Sequence, residues 1–139
     1  MRVRAAALAA PAAVALATAG GLLLVHIVDP NEAGNYPTCP WLMVTGTFCP
    51  GCGTLRALHA LTHGDLGTAL SMNPLTVVMS VVLATWWATW AARMVVVPPG
   101  IWPIRRRVVP SWVIWGYLVV IVTYWVARNL PGMGWLAPS

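Results

Sequence analysis

Three apolar runs, each about twenty residues long and almost free of charge, leave this chain few folds to choose from. They cover residues 5–28, 75–97 and 110–129. A hydrocarbon layer of about 30 Å takes roughly 20 helical residues to cross. Backbone inside such a layer must satisfy its own hydrogen bonds, so uninterrupted apolar runs of this length imply helices. Composition agrees: 59 % of residues are apolar, 8 % are charged and the mean hydropathy is +0.75. A soluble domain carries about 25 % charged residues, and this chain has too few to cover a water-facing surface or to keep itself disordered. The expected fold is an all-α integral membrane protein. It has three transmembrane helices plus short amphipathic helices in an outward cysteine-containing loop, within a single membrane domain spanning 1–139.

The first run has features of a secretory signal: a basic Met1-Arg-Val-Arg4 start and a small-residue Ala17-Thr-Ala19 stretch. The apolar run continues nine residues past Ala19, to Val28. That length favours an uncleaved spanning helix.

Orientation follows from the arginines. The chain has eight basic residues, all arginine, and three acids. Arg2, Arg4, Arg93, Arg105, Arg106 and Arg107 fall on one side of the expected spans, Arg56 and Arg128 on the other, with Asp29, Glu32 and Asp65. Six against two places the N-terminus and the proline-rich connector 98–109 in the cytoplasm, and the loop 29–74 and the C-terminus outside. The localisation implied is the cell membrane. Arg105, Arg106 and Arg107 suit anionic lipid headgroups. No basic stripe with interleaved aromatics is present, so nucleic acid is not an expected partner. The lipid bilayer is one, and an unknown membrane protein or a second copy of the chain is another. A lysine-free chain rich in alanine and tryptophan also fits a GC-rich genome. Trp86, Trp87 and Trp90 lie at helical spacing in the second run, which predicts packing against neighbouring helices before an aromatic-lined pocket.

The loop 29–74 holds all three cysteines, two of the three histidines and every acid. Over 52–63 the apolar spacing predicts an amphipathic helix, with Cys52, Arg56, His59 and His63 on one face and Leu55, Leu58 and Leu61 opposite. Gly64 is placed to end that helix, Asp65 to cap the next, and Asn73-Pro74 to cap the second span. His26 sits near the outer end of the first span, where an amphipathic ring is tolerated.

Three chemistries fit the loop. Cys49-Pro-Gly-Cys52 is a Cys-x-x-Cys motif, and with Arg56 nearby to lower a thiol pKa it could exchange disulfides. Cys49, Cys52, His59 and His63, with Cys39 as a substitute, could hold a metal such as zinc, although the spacing is shorter than a usual zinc-finger interval. A disulfide, most simply one using Cys39, could instead pin the loop.

The string Cys39-Pro-Trp-Leu-Met-Val-Thr-Gly-Thr-Phe-Cys49-Pro-Gly-Cys52-Gly-Thr-Leu-Arg56-Ala-Leu-His59-Ala-Leu-Thr-His63-Gly-Asp65, followed by Asn73-Pro74-Leu75, resembles the bacterial membrane-protein family catalogued as domain of unknown function 2752. Arg128-Asn-Leu-Pro131 and Leu136-Ala-Pro138 resemble its C-terminal pattern, so the likeness runs from about residue 37 to the end. The chain departs from the pattern at Leu55, where the family often has threonine. The resemblance implies a small multi-span membrane protein and carries no reaction with it. The function expected is therefore an accessory or interaction protein with a structural or ligand-binding Cys/His outer loop. The alternatives are a membrane thiol–disulfide oxidoreductase using Cys49 and Cys52, and a metal-binding or metal-transport component.

Overall fold

The computed structural model describes residues 2–96, 109–133 and 136. The connector with Arg105, Arg106 and Arg107 lies outside the described residues. Among the described residues six helices follow in order: α1 (Arg2–Ile27), α2 (Pro40–Thr45), α3 (Thr54–Thr62), α4 (Leu66–Met72), α5 (Pro74–Val96) and α6 (Ser111–Ala127). Among the described residues there is no strand, only an isolated bridge between Ala33 and Tyr36.

Within α1 the stretch Leu8–Ile27, 20 residues, and the whole of α5, 23 residues, are long and apolar enough to cross a membrane. The third run forms a helix of 17 residues, α6. At 1.5 Å per residue that is about 26 Å, a little short of the hydrocarbon layer. The flanks of these helices stay open: Leu16 is 75 % exposed and Trp112 74 %. Helices α1 and α5 lie against each other. The Trp87 indole donates to the Pro11 carbonyl of α1 at 3.2 Å, while Trp86 stacks on Trp90 with ring centroids 6.0 Å apart. Trp86 and Trp87 also line an apolar cleft of about 1090 Å³ that runs between α1, α5 and α6.

The short helices form a cap across one end of the long ones. Helix α3 buries Ala60 against Ala69 of α4 and Val77 of α5, and Ala57 is buried as well. The methyl side chains of Ala60 and Ala69 let α3 and α4 approach closely. The corner between α3 and α4 is Gly64, whose φ of +78° is a conformation that costs glycine nothing. Asp65 then caps α4, accepting the Thr68 amide at 2.9 Å and the Thr68 hydroxyl at 2.6 Å. Asn73 caps α5, its side-chain oxygen accepting the Thr76 amide at 3.1 Å, with Pro74 in the first turn. All three junctions follow the expectation from sequence.

The Thr68 hydroxyl and amide hold the Asp65 carboxyl below its ordinary value. A depressed native pKa means the cap contributes fully above the unfolded carboxylate value of about 3.9 and is lost as pH falls through the native one. Hydrogen exchange at the Thr68 amide should therefore accelerate, relative to α5 amides, when the pH drops below that value. In Asp65→Ala the amide should be fast at every pH, with no such step.

Helix α3 starts later than the spacing predicts, at Thr54 rather than residue 52, because Gly53 takes φ +82° at its N-cap. The cysteine motif therefore precedes the helix instead of opening it.

Candidate functional site

Cys49-Pro50-Gly51-Cys52 folds as a β-turn, with the Cys52 amide donating to the Cys49 carbonyl at 3.1 Å. Pro50 suits its second position. The turn brings the two sulfurs to 3.2 Å, and the Cys49 amide donates to the Cys52 sulfur at the same distance, 3.2 Å. Cys39, at the N-cap of α2, places its sulfur 3.5 Å from that of Cys49. The three sulfurs all lie within 4.8 Å of one another, and all three cysteines are free thiols.

The sulfurs stand 3.2 and 3.5 Å apart, beyond the roughly 2.05 Å of a disulfide and short of the roughly 3.8 Å between sulfurs around a tetrahedral zinc ion. This is the spacing of a reduced thiol cluster, close enough for either a metal ion or disulfide exchange.

The thiols are not alike. Burial, reinforced by the neighbouring Cys49 sulfur, pushes Cys52 up to about 12. The Leu42 amide beside Cys39 holds that thiol below the usual range. Cys52 is thus protonated near neutral pH unless a cation replaces its proton.

Behind the turn lies a buried polar layer. Arg128, just past α6, is 2 % exposed. One terminal nitrogen of its guanidinium donates to the carbonyls of Cys49 at 2.8 Å, Cys52 at 3.2 Å and Pro50 at 3.3 Å; the other donates to Cys52 at 3.2 Å. Its cation also sits over the Tyr124 and Phe48 rings, 5.1 and 5.7 Å from their centroids. Asn73, fully buried, donates to the carbonyls of Pro50 and Cys52, each at 3.0 Å, and its oxygen accepts the Tyr124 hydroxyl at 3.2 Å. Asn129 closes the layer: its amide accepts from the Phe48 N–H and donates to the Phe48 carbonyl, both at 2.8 Å. Trp125 packs edge-on against Trp41 of α2. The end of α6 therefore grips the cysteine turn through side chains.

Arg128 has no carboxylate within ion-pair distance among the described residues, and its Nε has no hydrogen-bond partner. A buried charge without a counter-charge is costly. The sulfurs are the groups here able to carry negative charge.

A cavity of about 570 Å³ opens beside the cluster, lined by Cys39, Cys52, Phe48, Arg56, Tyr36 and Glu32 among others. Arg56 thus lines the same cavity as two of the cysteines, and among the described residues it makes no ion pair with Asp65 or Glu32.

His59 and His63 are not brought to the sulfurs. Their rings lie tilted at 41° with centroids 4.3 Å apart, and His63 stacks on His26 of α1 at 4.1 Å. The late start of α3 divides the expected single face into a sulfur site before the helix and an imidazole group along it. Asn73 and Arg128 carried little sequence signal: one read as a helix cap, the other as a flank of the third span.

These features define a helical protein with two candidate membrane spans and a three-cysteine cluster at one end. A family model described as "Protein of unknown function (DUF2752)" matches residues 39–87, in agreement with the resemblance read from the sequence. The matched stretch contains all three cysteines and Asn73. Arg128 and the C-terminal pattern lie beyond it. No curated protein and no solved structure matches the chain.

Proposed function

We propose that this is a three-span membrane protein whose outward-facing cysteine cluster binds one thiophilic divalent metal ion, zinc being the first candidate. The observation that carries this reading is the gathering of three sulfurs within 4.8 Å beside a buried arginine that has no carboxylate partner among the described residues. Three thiolates around a divalent ion sum to a charge of −1, which Arg128 offsets. Three protein ligands leave a fourth position, and the cavity beside Cys39 and Cys52 gives it access to water or an exogenous ligand. A site of that kind suits an accessory protein that captures or presents a metal, more than a closed structural staple.

The three-span arrangement is supported by connectivity. The last turn of α1, the first turn of α5 and the end of α6 all meet the cysteine-bearing segment. Three crossings would put that segment on one side of the membrane, and the six-to-two arginine count selects the outside. Apolar flanks open along α1, α5 and α6 suit lipid rather than water.

A second reading, thiol–disulfide exchange, draws on the short Cys49–Cys52 approach with Cys39 in reach of Cys49. One experiment separates the two. Protein extracted without chelator should carry about one cysteine-bound metal ion per chain, and Cys39→Ser, Cys49→Ser and Cys52→Ser should each lower that thiolate-bound occupancy severalfold. A metal-free chain holding one reversible disulfide would favour exchange and remove the metal reading.

A further inference from the structure

The three histidines make a second constellation that the cysteine site does not use, and hydrogen-bond bookkeeping fixes their tautomers. His59 Nδ1 lies 2.7 Å from the Val25 carbonyl oxygen, which only accepts, so Nδ1 carries the hydrogen. His63 Nδ1 lies 2.8 Å from the His59 carbonyl oxygen, with the same consequence. His26 Nδ1 lies 3.2 Å from the Thr62 hydroxyl oxygen. That hydroxyl already donates to the His59 carbonyl at 2.7 Å, so His26 must also be the donor. In their neutral forms all three rings then present Nε2 as a lone pair.

This is the arrangement metal-binding histidines adopt, with one nitrogen donating to a carbonyl or hydroxyl and the other free to coordinate. The free nitrogen of His59 faces a carboxylate: Nε2 is 3.7 Å from Asp29 Oδ1. A lone pair and an anion that face each other repel, and the contact is satisfied by a cation between them: a proton on Nε2, which makes an ion pair, or a metal ion. Asp29 is itself fixed by the Asn31 amide at 2.8 Å and the Asn31 side chain at 2.7 Å, so it cannot easily swing away. Nitrogen and oxygen donors bind zinc at about 2.0–2.2 Å, so Nε2 and a carboxylate this close can share one ion. His26 and His63 are exposed, which leaves the approach open.

We propose that His59, Asp29 and the stacked imidazoles of His63 and His26 form a second cation site, distinct from the cysteines, that takes a borderline divalent metal ion such as zinc. His59 Nε2 and the Asp29 carboxylate meet the ion first, the carboxylate through Oδ2, because both Asn31 hydrogen bonds fall on Oδ1. The rings stack rather than converge, so a third nitrogen arrives by tilting the exposed ring of His63. Because Asp29 and His26 belong to the end of α1 and His59 and His63 to α3, a bound ion ties α1 to the cap. The site rests on nitrogen and oxygen donors and stands independently of the three-thiolate reading.

Cadmium is a suitable probe, because its NMR shift separates thiolate-rich from nitrogen- and oxygen-rich coordination. The full chain in detergent, titrated with cadmium alone, should show two resonances. Asp29→Asn and His59→Gln should each remove the nitrogen/oxygen resonance and leave the thiolate one, whose survival also reports that the cap is folded. His63→Gln should weaken the nitrogen/oxygen site by about tenfold, in line with the loss of one ligand interaction. A nitrogen/oxygen resonance without a thiolate one would sustain this site and remove the cysteine reading. A single thiolate resonance in the wild type overturns the proposal. So does a second resonance that persists in both Asp29→Asn and His59→Gln.

Discussion

Arg128→Met is expected to abolish most of the metal binding while leaving α1 and α5 intact. The substitution removes a guanidinium that donates to three carbonyls of the cysteine turn. Hydrogen bonds from a charged donor each contribute about 1.5–3 kcal/mol, partly offset by the cost of burying the cation. The sharper consequence concerns charge. With thiols neutral, Arg128 is a buried cation without a counter-ion; with a divalent ion on three thiolates, it sits beside a net negative group. Zinc should therefore raise the thermal midpoint of the wild type far more than that of Arg128→Met, and its affinity should fall by about a hundredfold or more in the variant, equivalent to roughly 2.7 kcal/mol. Arg128→Lys keeps the charge without the fork and should fall between them. Thermal unfolding with and without zinc, in detergent, measures the coupling. An equal zinc-induced shift in all three proteins would mean that Arg128 serves only to brace the turn.

Asn73→Leu should have the largest effect on the metal-free protein. Asn73 caps α5 through Thr76, donates to the Pro50 and Cys52 carbonyls, and accepts from Tyr124. Loss of an N-cap costs about 1 kcal/mol, and each of the three other buried bonds about 1 kcal/mol, so the total is on the order of 4 kcal/mol. Asn73→Ser retains a capping oxygen and should recover only the first part. Alkylation of the buried Cys52 is a convenient readout, since the turn must open for reagent to reach it. Fast alkylation is expected in Asn73→Leu and slow alkylation in the wild type. Equal rates would show that the turn is held without Asn73.

These two residues also mark where the sequence stops being informative. The long helices are written in apolar runs whose few charges lie near the ends, a local property, and α1 and α5 appear within a few residues of the expected limits. The junctions at Gly64, Asp65 and Asn73-Pro74 are equally local, because a cap needs partners only three residues away. The sulfur cluster was half legible. The Cys-x-x-Cys motif announces itself, but Cys39 joins it only through the placement of α2. The histidines part from the cysteines for a definite reason. Helical periodicity carried back from α3 puts Cys52 and His59 on one face, and the positive φ of Gly53 breaks that register. Their actual partner, His26, comes from α1, and no spacing rule links the two. Arg128 reaches the Cys52 carbonyl across 76 residues of chain. Nothing within its own helix hints at that contact beyond a charged residue at the end of an apolar run.

Zinc K-edge X-ray absorption on the zinc-loaded, full-length chain tests the central claim most directly. The three-thiolate account predicts a first shell with three sulfur atoms at about 2.3 Å and one lighter atom at about 2.0–2.2 Å. To keep the imidazole site from contributing, the measurement is best made on Asp29→Asn at no more than one zinc per chain. A shell of nitrogen and oxygen alone, with the cysteines free or joined in a disulfide, would contradict the account.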